Sequence, residues 1–86
     1  MAHIHLIGIG GSGLSAIARL LMERGYTVSG SDKQLSPLTR ELAELGAHIY
    51  AGHASENIQG ADVVVRSSAV PDDNPEVVAA LACGTP

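Results

Sequence analysis

The stretch His5-Leu6-Ile7-Gly8-Ile9-Gly10-Gly11-Ser12-Gly13-Leu14 constrains this chain more than any other. An apolar run ends in glycines at positions 8, 10 and 13, the G-x-G-x-x-G spacing, and a helical pattern follows at once. Gly8 is expected to permit a tight reversal out of a strand, and Gly10 to let a phosphate approach bare backbone. Gly13 is expected to let the helix lie close to the strand. The helix start would then offer N–H groups without intrahelical acceptors, and the positive end of its dipole, to an anion. The spacing alone is a weak signal, and its meaning depends on a β-α-β setting.

The rest of the chain supplies that setting. His3 to Ile7 reads as a strand, and Leu14, Ile17, Ala18 and Leu21 then recur at helical spacing until Gly25 stops the helix. Tyr26 to Ser31 reads as a second strand ending at Asp32. Ser36-Pro37 forms an N-cap with proline in the first turn, and Leu38, Leu42 and Leu45 give the expected buried stripe before Gly46. His48-Ile49-Tyr50 is a short third strand, followed by Gly52-His53 and a polar link. In the segment from Ala61 to Arg66, the run Val63-Val64-Val65 suggests a strand covered on both faces, as parallel sheets require. After the loop Ser67 to Asp73, Asn74-Pro75 caps a last helix carrying Val77, Val78 and Leu81, closed by Gly84.

The order β-α-β-α-β-loop-β-α predicts an α/β fold, a Rossmann-like doubly wound parallel sheet of about four strands in the order 3-2-1-4 with three helices. The carboxyl ends of the strands converge on one crevice. They carry Gly8 to Gly13, Asp32, Gly52-His53 and Ser67-Ser68-Ala69. Residues 1–86 are expected to form a single domain. Because the sequence stops at Gly84-Thr85-Pro86, where a fifth strand is due, that domain is expected to be cut from a longer chain. An unpaired sheet edge would follow, and with it possible self-association.

Composition narrows the function classes. With two Tyr and no Phe or Trp the chain has no base-stacking platform. Its net charge of −4 argues against binding a nucleic-acid backbone. The lone Cys83 excludes an intramolecular disulfide and a cysteine-based zinc site, and is read as inert packing late in a helix. No apolar run reaches the roughly 18 residues of a membrane span, so no membrane partner is expected and a cytoplasmic location is the default. The histidines show no metal-ligand spacing, and His3, His5 and His48 are read as structural.

Each candidate has a bland alternative. Asp32 lies about 20 residues past the glycine turn, where an acid can accept ribose hydroxyls, or it is simply a turn carboxylate. His53 either touches a ligand or is solvated. Ser67 and Ser68 offer hydroxyls and N–H groups to a second phosphate or a sugar, against plain loop polarity. Asp72, Asp73 and Asn74 read as turn and cap residues. No G-x-x-x-x-G-K-[ST] and no G-x-S-x-G occurs, so neither P-loop ATP binding nor a serine nucleophile is expected. Arg66 is the one basic residue at the strand ends.

Taken together, His5 to Ser15, Val28-Ser29-Gly30-Ser31-Asp32, Gly52-His53, Ser67-Ser68-Ala69-Val70 and Asp73-Asn74-Pro75-Glu76 resemble the amino-terminal domain of the Mur ligases along nearly the whole chain. The Gly-Ile-Gly-Gly form and the Asp-Asn-Pro-Glu helix start favour the branch that joins L-alanine to UDP-N-acetylmuramate. The branch that reattaches a recycled tripeptide is the alternative. Leu6 stands where the family often has Phe, and Leu14 where it often has Met, apolar exchanges that keep the packing.

The resemblance implies a three-domain cytoplasmic ligase of peptidoglycan synthesis, of which this chain is the domain holding UDP-N-acetylmuramate. ATP and Mg²⁺ would sit on a second domain, so the chain alone is expected to be inactive and to carry no catalytic residue or metal. By the same resemblance Gly10, Gly11, Ser12 and Gly13 would cradle the diphosphate. Asp32 and His53 would face the uridine, and Ser67, Ser68 and Ala69 would line the opposite wall. One rival, an NAD-binding domain of an oxidoreductase or a nucleotide-sensing module, shares the glycine turn and Asp32, and a third reading is a structural or interaction domain with no ligand in the crevice. An NAD fingerprint does not require Gly52-His53 or the block Ser67-Ser68-Ala69 with Asp73-Asn74-Pro75-Glu76.

Overall fold

A computed structural model describes residues 2–86. Strand β1 (His3–Ile7) leads into helix α1 (Ser12–Glu23), then β2 (Thr27–Asp32), α2 (Pro37–Glu44) and β3 (His48–Ala51). A 3-10 turn (Ser55–Ile58) precedes β4 (Val63–Arg66) and α3 (Pro75–Cys83). All pairings are parallel and the sheet order is β3-β2-β1-β4. The predicted winding is the one observed, and the order of neighbours reverses between β1 and β4, which opens a crevice at their carboxyl ends.

Period-two alternation gives the sheet two unlike faces. On one face Ile4, Leu6, Val28, Leu14, Ala18 and Leu42 form the main apolar cluster, with Ile49, Val63 and Val65 packed on it. The other face carries a smaller apolar cluster of Ile7, Val70 and Val77 with Val64. Beside it on β1 and β2 lie the buried polar residues His5, Ser29 and Ser31. The three valines of β4 are indeed divided between the two faces. They are only half-buried because β4 is an edge strand. Along that edge the Val64 N–H donates to the Pro86 carbonyl at 2.8 Å, so the last residues of the chain lie against it.

The helices hold their expected places, with three shifts in which residues face inward. In α1 the buried residues are Leu14, Ser15 and Ala18, while Ile17 falls on the flank and is exposed. In α2 the inward pair is Thr39 and Leu42, whereas Leu38 and Leu45 face out. The cause is the Ser36 cap: its side chain accepts from the Thr39 N–H while Thr39 bonds back to Ser36, which turns Thr39 toward the sheet. In α3 Val77 and Ala80 are buried, but Val78 and Leu81 are exposed and their expected place is taken by Glu76, which is fully buried. Asn74 caps this helix as expected, accepting from the Glu76 N–H at 2.9 Å.

Candidate functional site

The glycine turn is fastened to the end of β2. Gly8 has φ 87°, a conformation that favours glycine, and the N–H groups of Gly8 and Ile9 both donate to the Ser31 carbonyl, at 2.8 and 3.1 Å. Gly10 donates its N–H to Asp32 Oδ2 at 2.9 Å, and a Cβ at Gly10 would stand 2.8 Å from that oxygen. The absent side chain therefore admits the Asp32 carboxylate, which takes up the Gly10 N–H. Around Gly13 a Cβ would meet nothing within 4 Å, so the close helix–strand approach expected there is not made by Gly13. The close approach that requires a glycine is instead between the turn and β2, at Gly30, where a Cβ would lie 2.5 to 2.9 Å from Ile9 side-chain atoms.

Two neighbouring hollows share Gly11 and Ser67. The inner one, of about 370 Å³, is lined by Gly11, Asp32, Lys33, His53, Ser67 and Ala69, among others. The outer, of about 430 Å³, is bounded by Gly11, Ser12, Gly13, Arg66, Ser67 and Ser68, at the start of α1. The carboxyl ends of β1, β2, β3 and β4 thus bring together every predicted site residue except Gly10, which lies behind them against Asp32. The first N–H groups of α1 have no intrahelical acceptor, no acidic residue occupies its first turn, and Lys33 and Arg66 flank the hollows. An anion is favoured at that helix start. Arg66 also pairs with Asp72 at 2.8 Å and donates to the Val70 carbonyl, which closes the Ser67-to-Asp72 loop over the sheet.

Beneath the inner hollow lies a polar network that the sequence analysis did not anticipate. Glu76 Oε1 accepts from His5 Nε2 at 2.6 Å and from the Ser31 hydroxyl at 2.7 Å. Its Oε2 accepts from the Asn57 side chain at 2.9 Å and the Ala54 N–H at 3.1 Å, with His53 Nδ1 at 3.3 Å. Burial would push this carboxyl up. The hydrogen bonds from His5, Ser31, Asn57 and Ala54 outweigh it and hold Glu76 at about 2. On the far side His5 Nδ1 and His3 Nε2 both contact the Ser29 hydroxyl, at 2.7 and 2.6 Å.

His3 and His5 are therefore structural, as read from the sequence, and His48 packs beside Tyr50 with ring centroids 4.7 Å apart. His53 belongs both to this network and to the hollow. The missed residues are Glu76, Ser31, Asn57 and Lys33. The available signal was the alternation His3, His5 on β1 and Ser29, Ser31 on β2, which puts four polar side chains on one face of a buried sheet and calls for a charged partner. Cys83, read as packing, is exposed. Among the described residues no group of three or more His, Cys, Asp or Glu is placed to hold a metal ion.

Comparison with known proteins agrees with this architecture. The family model described as Mur ligase family, catalytic domain, matches residues 3–86. A UDP-N-acetylmuramate–L-alanine ligase of Bordetella petrii is 58% identical over 84 residues, covering 98% of this chain and 18% of that protein. Among solved structures, the UDP-N-acetylmuramate–alanine ligase MurC of Thermotoga maritima superposes with a TM-score of 0.95 at 38% identity, covering 100% of this chain and 20% of the other. The UDP-N-acetylmuramate:L-alanyl-gamma-D-glutamyl-meso-diaminopimelate ligase of Neisseria meningitides gives 0.91 at 35% identity, over 100% of this chain and 28% of its own. The chain spans about a fifth of the length of such relatives, and over that span it belongs to the Mur ligase family.

Proposed function

We propose that this chain is the UDP-N-acetylmuramate-binding domain of an ATP-dependent UDP-N-acetylmuramate–L-alanine ligase of peptidoglycan synthesis, working in the cytoplasm. The observation that carries the reading is the pair of hollows meeting at Gly11 and Ser67. One has the form of an anion seat at the α1 N-terminus, and the other is a polar recess bounded by Asp32 and His53. A nucleoside diphosphate has that division: charged oxygens for the helix start, and a sugar and base with donors and acceptors for the recess. Gly11, Ser12 and Gly13 would hold the diphosphate, with Gly10 supporting the turn from behind. Asp32 and His53 would face the uridine, and Ser67, Ser68 and Ala69 would form the opposite wall. The relative sharing 58% identity, named as an L-alanine ligase, favours that branch over tripeptide recycling.

ATP and Mg²⁺ do not fit the residues of this chain. It has no P-loop lysine motif, and its described residues hold no carboxylate cluster suited to a cation. Activation of a carboxylate therefore belongs to other parts of the ligase, and the chain by itself would bind without turning over. Among the described residues no helix is long and apolar enough to cross a membrane.

Calorimetric titration with UDP-N-acetylmuramate, UDP and NAD tests the reading. Saturable binding of the two UDP compounds, with NAD weaker by at least about tenfold, is expected. A preference for NAD, or binding of none of the three, contradicts it.

A further inference from the structure

The hydrogen bonds around His53 can be solved for the position of its proton. Glu76 is an ionised carboxylate and only accepts. The Ser31 hydroxyl has one hydrogen, and it is spent on Glu76 Oε1 at 2.7 Å, a charge-assisted bond that outcompetes a neutral acceptor. Ser31 Oγ also lies 2.8 Å from His53 Nδ1. With its hydrogen committed, the serine oxygen accepts there, so Nδ1 carries the ring proton and shares it with Glu76 Oε2 at 3.3 Å. Neutral His53 then has a bare lone pair on Nε2. Among the described residues no buried side-chain nitrogen lacks a partner. Nε2 makes no bond to them, so it is open to solvent, on a residue that lines the inner hollow.

We propose that Glu76, acting through Ser31, is a positioning residue that fixes the hydrogen-bonding polarity of the recess: it holds His53 as the Nδ1–H tautomer so that Nε2 accepts a hydrogen bond from the ligand. Resting on the nucleotide-binding reading above, the inference assigns His53 a donor group of the nucleoside, either a ribose hydroxyl or the uracil imide N–H. A ligand offering only acceptors at that point would face a lone pair and be rejected. The other members of the network have fixed parts. Asn57 and the Ala54 N–H occupy Oε2, and His5 takes the remaining capacity of Oε1. The other charged groups lining the recess are Asp32 and Lys33.

The test reads the ring directly. Two-bond ¹H–¹⁵N correlation spectra of the histidine side chains, recorded on the ligand-free chain at about pH 8 where histidine is ordinarily neutral, report which nitrogen is protonated. His53 is expected as the Nδ1–H tautomer in the native chain. In Glu76→Gln, or in Glu76→Ala should the first variant not fold, the ring loses the carboxylate that faces Nδ1 and is expected to move to the Nε2–H form or a mixture. An Nε2–H ring in the native chain overturns the proposal. So does an unchanged tautomer in a folded variant, since a merely structural Glu76 would lower stability without moving the ring proton.

On the ligand side, UDP lacking its ribose hydroxyls and UDP methylated at the uracil imide nitrogen are compared with UDP. One of the two is expected to bind about tenfold more weakly, and that penalty is expected to shrink in the variant. Two analogues that bind as well as UDP overturn the assignment of a donor to His53. Failure of every UDP compound to bind sinks the nucleotide reading instead, while the tautomer of the free chain still decides the part played by Glu76.

Discussion

The two faces of the sheet solve the same burial problem by opposite means. Toward α1 and α2 the inward residues of β1, β2 and β4 are apolar or glycine up to Asp32 at the carboxyl end of β2, and the cluster around Leu6, Ile9, Val28 and Leu42 is held by area and volume. There a fully buried Leu or Ile contributes about 1.5–3 kcal/mol with no demand on partner identity. Toward α3 the same strands present His3, His5, Ser29 and Ser31, and the carboxylate of Glu76 is surrounded by donors from β1, β2, the 3-10 turn and the loop after β3. Such a cluster is favourable only while each member is satisfied. The apolar face fixes the fold; the polar face fixes the orientation of a side chain at the crevice.

The largest expected effect lies on the polar face. Glu76→Ala leaves the buried partners His5 and Ser31 and the Ala54 N–H without an acceptor, at an expected cost of about 3–5 kcal/mol, measured by urea unfolding. A cost below that of an ordinary surface substitution would break the contrast. On the apolar face Gly30→Ala pushes a Cβ to within 2.5 Å of Ile9 and is expected to cost about 1–3 kcal/mol. Ile9→Ala removes two of the three Ile9 atoms met there, Cδ1 and Cγ2, so in a double-mutant cycle the combined loss is expected to fall short of the sum of the two single losses.

Acid separates the faces more finely. Glu76 is held at about 2, below its ordinary 4.5, so its contribution is fully present above 4.5 and is lost as pH falls from there toward 2. Unfolding curves across that window should show the penalty of Glu76→Ala shrinking, while that of Leu42→Ala stays level. The smallest effect is expected at the β4 edge. Pro86 already accepts from Val64 there, so self-pairing of two copies through this edge is expected to be weak. Sedimentation across a range of concentrations checks it.

The sheet order and the helix ends were legible because they depend on local signals: glycines at turns, Ser36-Pro37 and Asn74-Pro75 at helix starts, and a Val run for β4. The inward faces of the helices were less so. Leu38, Leu45, Ile17 and Leu81 satisfy a helical period as well as the residues that are truly buried, and only tertiary contact chooses between them. Gly30 and Glu76 were hidden for a related reason. The partner of Gly30 is Ile9, and the partners of Glu76 are His5, Ser31, Ala54 and Asn57, all far off in sequence. At the crevice the residues Gly11, Asp32, His53, Ser67 and Ala69 were foreseen, because strand ends in this winding must meet. The fastening of Gly10 by Asp32 was not, since nothing in the sequence says which acceptor an N–H will find.

Amide chemical-shift mapping of the chain during titration with UDP-N-acetylmuramate tests the central claim most directly. Saturable shifts at residues 11–13, 32, 53 and 67–69, with the β3-side groove around Leu35 and Ile49 unmoved, are the predicted result. Saturation with shifts confined to that groove or elsewhere outside the crevice would contradict it.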